Sequence, residues 1–217
     1  MRISDILYEM PMIHSDLDSH ELSTKDGNLM YFRRYEKGAE LVSDLGGGVG
    51  VYHSDRGNPT YLVLDHERQR VLYYMQYVPS NNRQLGKYVY QKFLWIDKGS
   101  RGTVGYLPTH YFYQLVDEFG MVVTDSEQTS DGRRFWEKRI ADAFGRGLRV
   151  YYHDFKTSEL VKLHTVSDVS EYDHKYAIYS DNESALDRVF VITSRELTDV
   201  GAANPVKKPS TFSGLRV

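Results

Sequence analysis

The chain contains no cysteine among its 217 residues. This absence excludes a disulfide scaffold, a cysteine nucleophile, thiolate zinc sites and iron–sulfur clusters, and it is in keeping with a reducing compartment. An excess of one charge sign is also missing, since 27 lysines and arginines stand against 30 aspartates and glutamates. The composition therefore argues against a strongly basic nucleic-acid coat and against an acidic disordered protein.

Long apolar runs are missing as well. No stretch approaches the roughly 20 apolar residues that a membrane-spanning helix needs. The first residues lack the apolar centre of a secretion signal. We therefore expect a cytoplasmic protein that is not anchored in a membrane.

Tyrosine is abundant, with 18 residues, and many of them lie in runs that mix aromatic and β-branched residues. Such runs are typical of strands, and we predict an antiparallel meander over residues 61–65, 71–78 and 87–96, with turns at 67–69 and 79–82. Alternation along the third strand assigns its side chains to two faces, one with Tyr88, Tyr90, Lys92 and Leu94 and the other with Val89, Gln91, Phe93 and Trp95. Neither face is uniformly polar, so we expect both to be covered.

Beyond the meander the apolar period lengthens to that of a helix. Leu107-Pro108 opens a predicted helix that ends at Gly120. A short strand at 121–124 and a helix over 132–144 follow, the latter burying Trp136 and Ile140. Further strands are predicted at 148–152, 176–179 and 188–193. This order gives an α+β fold with a mixed, mostly antiparallel sheet flanked by helices.

The first part of the chain is polar and is predicted to be irregular, with short helical turns at 3–10 and 16–22. The glycine cluster in residues 45–52 precedes turn-forming residues, which favours a loop or hairpin over a phosphate cradle. We therefore predict an N-terminal extension over residues 1–59 that packs on a core of residues 60–197. Residues 198–217 are predicted to be a disordered tail.

Two local patterns stand out within this order. The third strand is followed by Lys98-Gly99-Ser100-Arg101-Gly102-Thr103-Val104-Gly105, and the second helix of the core contains Trp136-Glu137-Lys138. With the preceding Asp125-Ser126-Glu127-Gln128-Thr129, residues 60–193 resemble the GNAT superfamily of acyl-CoA-dependent N-acyltransferases, especially its divergent bacteriophage members. The resemblance implies transfer of an acetyl or other acyl group from acyl-CoA, as co-substrate, to an amine, in the host cytoplasm if the protein is phage-encoded.

The resemblance also implies a binding turn for the pyrophosphate of coenzyme A, whose backbone N–H groups converge on the anion. Carried over to this chain, the turn comprises Ile96, Lys98, Arg101, Gly102, Thr103 and Gly105. Val104 and Tyr106 stand where the family pattern has glycines. On residue types alone, a solvated glycine turn and a phosphate-binding loop remain equal alternatives.

Amine acylation needs a base for the amine and an acid for the leaving thiolate. The carboxylates available as a base are Asp97, Asp125 and Glu127, although such a residue is more often a cap, a turn former or a solvated acid than a catalyst. Trp136 occupies the helix position that many family members give to a tyrosine acid. Tyr106 is the nearest tyrosine by sequence that could replace it.

Two functions of other classes stay open. One is a catalytically silent GNAT-fold module that binds a host or phage macromolecule, and the other is modification of a nucleobase. The basic residues on and after the second helix are the local support for a nucleic-acid partner, although a solvated helix face explains them too. The histidines at 153, 164 and 174 match no metal-site spacing, so we expect surface histidines and no metal.

Overall fold

The computed structural model describes residues 14–124, 130–176, 178 and 187–197. Within these residues the chain forms an α+β fold of one nine-stranded sheet and six helices. The strands are β1 Glu40–Gly46, β2 Val49–Ser54, β3 Thr60–Asp65, β4 Arg70–Asn82, β5 Gly86–Ile96, β6 Met121–Val123, β7 Arg149–Asp154, β8 Glu159–Leu163 and β9 Arg188–Thr193. The helices are α1 His14–Ser23, α2 Lys25–Tyr35, α3 Arg101–Val104, α4 Leu107–Phe119, α5 Ser130–Gly145 and α6 Val166–Tyr176, with a 3-10 turn at Lys98–Ser100.

The strands lie in the order β1-β2-β3-β4-β5-β6-β9-β7-β8. The β5–β6 pair is parallel, and the other recorded pairs are antiparallel. The predicted meander is confirmed as β3, β4 and β5. The predicted turn at residues 79–82 is wrong because β4 runs on to Asn82, whose side-chain oxygen accepts the N–H groups of Gln84 and Leu85 and so starts the turn there.

A β-bulge changes the two faces of β5. Gln76 lies opposite Phe93 and Tyr77 lies opposite Gln91, so Lys92 has no counterpart on β4. One extra residue moves all later side chains to the other face. The predicted face assignment is therefore wrong beyond Lys92. Leu94 and Ile96 pack with Val89 in the main core, whereas Phe93 and Trp95 pack on the opposite side of the sheet.

Helices α4 and α5 cover one face of the sheet. Pro108 lies in the first turn of α4, and Gly120, with φ of 74°, ends it as predicted. The predicted buried side of α5 is confirmed at Trp136 and Ile140, which are 2% and 1% exposed. Trp136 packs edge-on against Phe112 of α4, which joins the two helices above the sheet.

Helices α1 and α2 cover part of the other face, so the prediction of an irregular segment is wrong for residues 14–35. The predicted turn at 16–22 is confirmed within α1, and the one at 3–10 lies outside the described residues. Thr24 caps α2 through its hydroxyl, which accepts the N–H of Gly27 at 3.1 Å. Asn28 then binds β4, because its amide exchanges hydrogen bonds with both backbone groups of Val71.

The glycine cluster forms the β1–β2 hairpin. Gly47 and Gly48 make its two-residue turn and have φ of 61° and 71°, the left-handed values that such a turn requires. At the other end of the chain, the prediction of a strand at 176–179 is wrong at Tyr176, which is the last residue of α6. Strand β8 and helix α6 are present in the structure but were not predicted from the sequence. The predicted tail at 198–217 lies outside the described residues.

Candidate active-site crevice

The parallel pairing of β5 with β6 stops well before the carboxyl end of β5. Val89 pairs with Val122 and Tyr90 with Val123, after which β6 ends while β5 continues for six residues to Ile96. Thr124 stays with β9, because its N–H donates to the carbonyl of Phe190 and its hydroxyl accepts the N–H of the same residue. Among the described residues, no strand pairs with this side of β5 beyond Tyr90. We call the surroundings of this unpaired edge of β5, residues 91–96, the crevice.

Such a place has two properties that suit a ligand. The edge of a strand presents N–H and C=O groups that can pair with an extended molecule. In sheets with parallel strands, ligands also bind outside the carboxyl ends, where neighbouring strands part. The crevice combines both properties at one end of β5.

Gln91 is the first residue of β5 after its last pairing with β6. Its side chain is buried, with 8% exposure, and its Oε1 atom has no hydrogen-bond partner. A buried amide oxygen without a partner costs free energy, so its presence calls for an explanation. A ligand N–H group in the crevice is one donor that would satisfy it.

The segment after β5 contains the residues that the resemblance assigned to coenzyme A. Lys98, Arg101, Gly102, Thr103 and Gly105 are all exposed and follow one another at the end of the strand, whereas Ile96 is half-buried. Val104, which stands where the family pattern has a glycine, is fully buried in the main core. Its side chain therefore anchors the segment against the protein. Binding of a cofactor by these residues stays a prediction.

Asp97 is held by local contacts. Its carboxylate accepts the hydroxyl of Ser100 at 2.6 Å and lies 3.7 Å from Nη1 of Arg70. Its backbone N–H donates to the carbonyl of Leu72, which continues the β4–β5 ladder. These contacts fit a turn-forming residue, the alternative left open by the sequence, and its catalytic role stays a prediction.

The other proposed catalytic residues are less constrained. Tyr106 precedes α4 and is 55% exposed, so its hydroxyl is open to a ligand or to water. Asp125 and Glu127 lie outside the described residues. The structure therefore places Asp97 and Tyr106 at the two ends of one segment beside the crevice.

Several of the basic residues on and after α5 are engaged within the protein. Arg133 binds Glu137 at 2.9 Å and Asp173 at 2.7 Å, and Arg149 pairs with Glu196. Arg139 is buried rather than exposed. The positive charge in this part of the sequence is thus partly balanced by carboxylates in the fold.

The prediction of surface histidines is confirmed at His164 and His174, which are exposed, and is wrong at His153. His153 is fully buried, and its Nδ1 atom lies 2.9 Å from the carbonyl oxygen of Glu159. Burial lowers the pKa of His153, which keeps the ring neutral. Within the described part of the chain, no group of three or more histidine and acidic side chains has the arrangement of a metal site.

One polar cluster was missed by the sequence reasoning. His53 on β2 reaches the hydroxyl of Tyr77 on β4, with 3.1 Å between Nε2 and the phenol oxygen. Tyr61 of β3 contacts the rings of both residues and stacks on Tyr111 of α4, with 4.1 Å between the ring centres. The signal in the sequence was only the abundance of tyrosine, because the contacts join four separate elements.

Comparison with known proteins adds no assignment. No protein-family model matches the chain, and no curated protein matches its sequence. Within the described residues, no helix has both the length and the apolar character needed to cross a membrane.

Proposed function

We propose that the protein is an acyl-CoA-dependent N-acyltransferase that moves an acetyl or other acyl group from the thioester to an amine in the crevice. The observation that carries the proposal is the parting of β5 from β6, after which no strand among the described residues pairs with this side of β5. The resemblance to the GNAT superfamily supports the same reaction.

The shape of coenzyme A suits this place. Its pantetheine arm is a narrow, extended chain with amide groups, which can hydrogen-bond to a strand edge as a peptide does. The pyrophosphate end would then lie towards Lys98 and Arg101, whose exposed cations follow the strand. The thioester end would lie deeper, near Gln91, whose unpartnered oxygen accepts an N–H group from the pantetheine or from the amine.

The reaction forms a C–N bond and breaks the C–S bond of the thioester. The amine loses a proton and the departing thiolate gains one. Gln91 accepts hydrogen bonds but is not a base, so removal of the proton falls to Asp97, Asp125 or Glu127, directly or through water. Tyr106 is the proposed donor to the thiolate.

Titration with acetyl-CoA by calorimetry tests the binding step. We expect saturable binding, and we expect the double substitution Lys98→Glu with Arg101→Glu to weaken it by at least tenfold, since it reverses two charges beside the pyrophosphate. Lys37→Glu, in the exposed turn that follows α2, is a charge-reversal control away from the crevice and should bind as the wild type does. No heat and no thermal stabilisation at millimolar acetyl-CoA would contradict the proposal.

Release of free coenzyme A tests the chemical step. A thiol reagent measures it without background, because the protein contains no cysteine. Amines of different classes, including the exocyclic amines of nucleobases, are supplied as acceptors. Thiol release that depends on the amine supports transfer, and the amine that supports it identifies the acceptor class.

The second candidate is a silent module of the same fold that binds a macromolecule. The observation that favours it is the engagement of Asp97 by Ser100 and Arg70, which leaves that carboxylate less free to act as a base. This candidate predicts no amine-dependent thiol release from any acyl-CoA. Thiol release that rises with amine concentration would contradict it.

A further inference from the structure

A groove lies on the outer side of α4 and shares no residue with the crevice. Its volume is about 320 Å³, and its lining residues are Thr109, His110, Tyr113, Gln114, Asp117 and Arg146. All of them except Arg146 belong to α4, and Arg146 directly follows α5. The apolar side chains of α4, such as Phe112 and Val116, pack into the core instead. The groove is therefore a polar depression between the ends of two helices.

Arg146 presents a guanidinium in this groove. The residue is exposed, and its Cζ atom lies 3.8 Å from the centre of the Tyr113 ring. Contact between a guanidinium and an aromatic face restrains the cation and leaves N–H groups at its edge available to another molecule. A guanidinium held in this way suits a carboxylate, which it binds through two parallel hydrogen bonds.

Asp117 supplies the opposite charge in the same groove. It is exposed, and among the described residues neither Asp117 nor Arg146 belongs to an ion pair. By contrast, Arg133, Arg139 and Arg149 are each paired with a carboxylate. The groove thus holds an accessible cation and an accessible anion that do not neutralise each other.

A ligand that satisfies both side chains must itself carry two charges of opposite sign. Its carboxylate would bind Arg146 and its ammonium group would bind Asp117, each through charge-assisted hydrogen bonds. One ion pair at an exposed position is worth little, so a molecule that makes only one of the two contacts should bind poorly. The volume of the groove is at the lower end of the range for small-molecule sites, about 300–1,000 Å³, and so suits a small ligand.

We propose that this groove binds a free polar amino acid, with its carboxylate on Arg146 and its ammonium group on Asp117. The side chain of the ligand lies against the rest of the lining, where Thr109, His110 and Gln114 offer polar groups. The site does not depend on the acyltransferase proposal, because neither β5 nor the segment of residues 97–106 lines it.

Thermal unfolding and calorimetry of the full chain test the proposal, with L-serine, L-asparagine and L-glutamine as probes. We expect at least one of them to give a saturable rise in Tm at millimolar concentration. The same measurements are made with two analogues of that amino acid, one without the ammonium group and one without the carboxylate. For L-serine these are 3-hydroxypropionate and ethanolamine. Each analogue should bind about fivefold more weakly or worse, because it keeps only one of the two contacts.

Two substitutions assign the two charges. Asp117→Asn and Arg146→Gln should each weaken amino-acid binding about fivefold or more. Asp117→Asn should also remove the preference for the amino acid over the analogue without the ammonium group. Arg146→Gln should likewise remove the preference over the analogue without the carboxylate. A merely structural role would change Tm without this exchange of selectivity.

Glu118→Gln and Lys138→Gln are the matched controls. Both residues are exposed, the first beside Asp117 on α4 and the second on α5, and neither lines the groove. Both variants should bind the amino acid as the wild type does.

Three results would overturn the proposal. One is a wild-type protein that responds saturably to none of the three amino acids. Another is binding of either analogue as tightly as the amino acid itself, which would mean that only one charge is recognised. The third is weakening by Glu118→Gln or Lys138→Gln equal to that by Asp117→Asn or Arg146→Gln, which would indicate attraction to the surface charge alone.

Discussion

Replacing Gln91 with leucine should stabilise the free protein and weaken its binding of acyl-CoA. The side chain is buried, and its Oε1 atom has no partner. Leaving a buried polar group unsatisfied costs about 1–3 kcal/mol, whereas an apolar group of the same shape carries no such cost. We therefore expect Gln91→Leu to raise the free energy of unfolding by about 1–2 kcal/mol, which for a chain of this size raises Tm by about 4 °C.

Gln114 provides the matched control. It is a half-buried glutamine whose amide is satisfied, because its Nε2 atom donates to the hydroxyl of Tyr61 at 2.9 Å. Gln114→Leu removes that bond and should lower the free energy of unfolding by about 1 kcal/mol. Both variants are unfolded with urea at constant pH, and acetyl-CoA binding is measured on each by calorimetry. Binding should weaken about tenfold in Gln91→Leu, which loses a bond to the ligand, and stay unchanged in Gln114→Leu.

A loss of stability in Gln91→Leu equal to that in Gln114→Leu would refute the reasoning, since it would mean that the Gln91 amide is satisfied in the free protein. A gain of stability with unchanged acetyl-CoA binding would refute the assignment of this oxygen to the ligand. The stability measurement therefore tests whether the Gln91 oxygen lacks a partner in the free protein, and the binding measurement tests whether it contacts the ligand.

Three further predictions concern stability. Asn28→Ala should lower the free energy of unfolding by about 2–3 kcal/mol in urea, because it removes hydrogen bonds that join α2 to both backbone groups of Val71. Burial lowers the pKa of His153 below its ordinary 6.5, so the unfolded chain binds the proton more tightly than the folded chain does. The free energy of unfolding should therefore keep its full value above pH 6.5 and fall below that pH by up to about 1.4 kcal/mol per pH unit. The slope should be smaller in His153→Asn. Gly47→Ala should lower Tm through a strain of about 1 kcal/mol at positive φ, whereas Gly102→Ala, with open space at its Cα, should not.

The parts of the fold that the sequence predicted are those with strong local signals. Helix α4 has an apolar period of 3.6, a proline in its first turn and a glycine at its end, and the core side of α5 follows the same period. The strands of the meander are rich in aromatic and β-branched residues. In each case local preference and burial favour the same structure, so such elements can be predicted from a single sequence.

The errors arise where a local signal has two meanings. The buried side of α2 consists of Tyr31, Phe32 and Tyr35. In the sequence these aromatic residues stand among polar ones, and aromatic residues also favour strands. The same ambiguity assigned Tyr176 to a strand. The bulge at Lys92 has no signature of its own in the sequence, because it depends on which residue of β4 lies opposite each residue of β5.

The candidate sites show a deeper limit of the sequence. Gln91 is an ordinary polar residue at a position where many amino acids would be compatible with a strand. What distinguishes it is that folding buries it and leaves an acceptor unmatched, a property of the residues around it in space. A protein retains such an atom at a cost in stability, and binding of a ligand is one function that offsets it. The sequence could therefore point to the segment after β5 by resemblance, but the buried oxygen of Gln91 that we assign to a ligand could be found only from the fold.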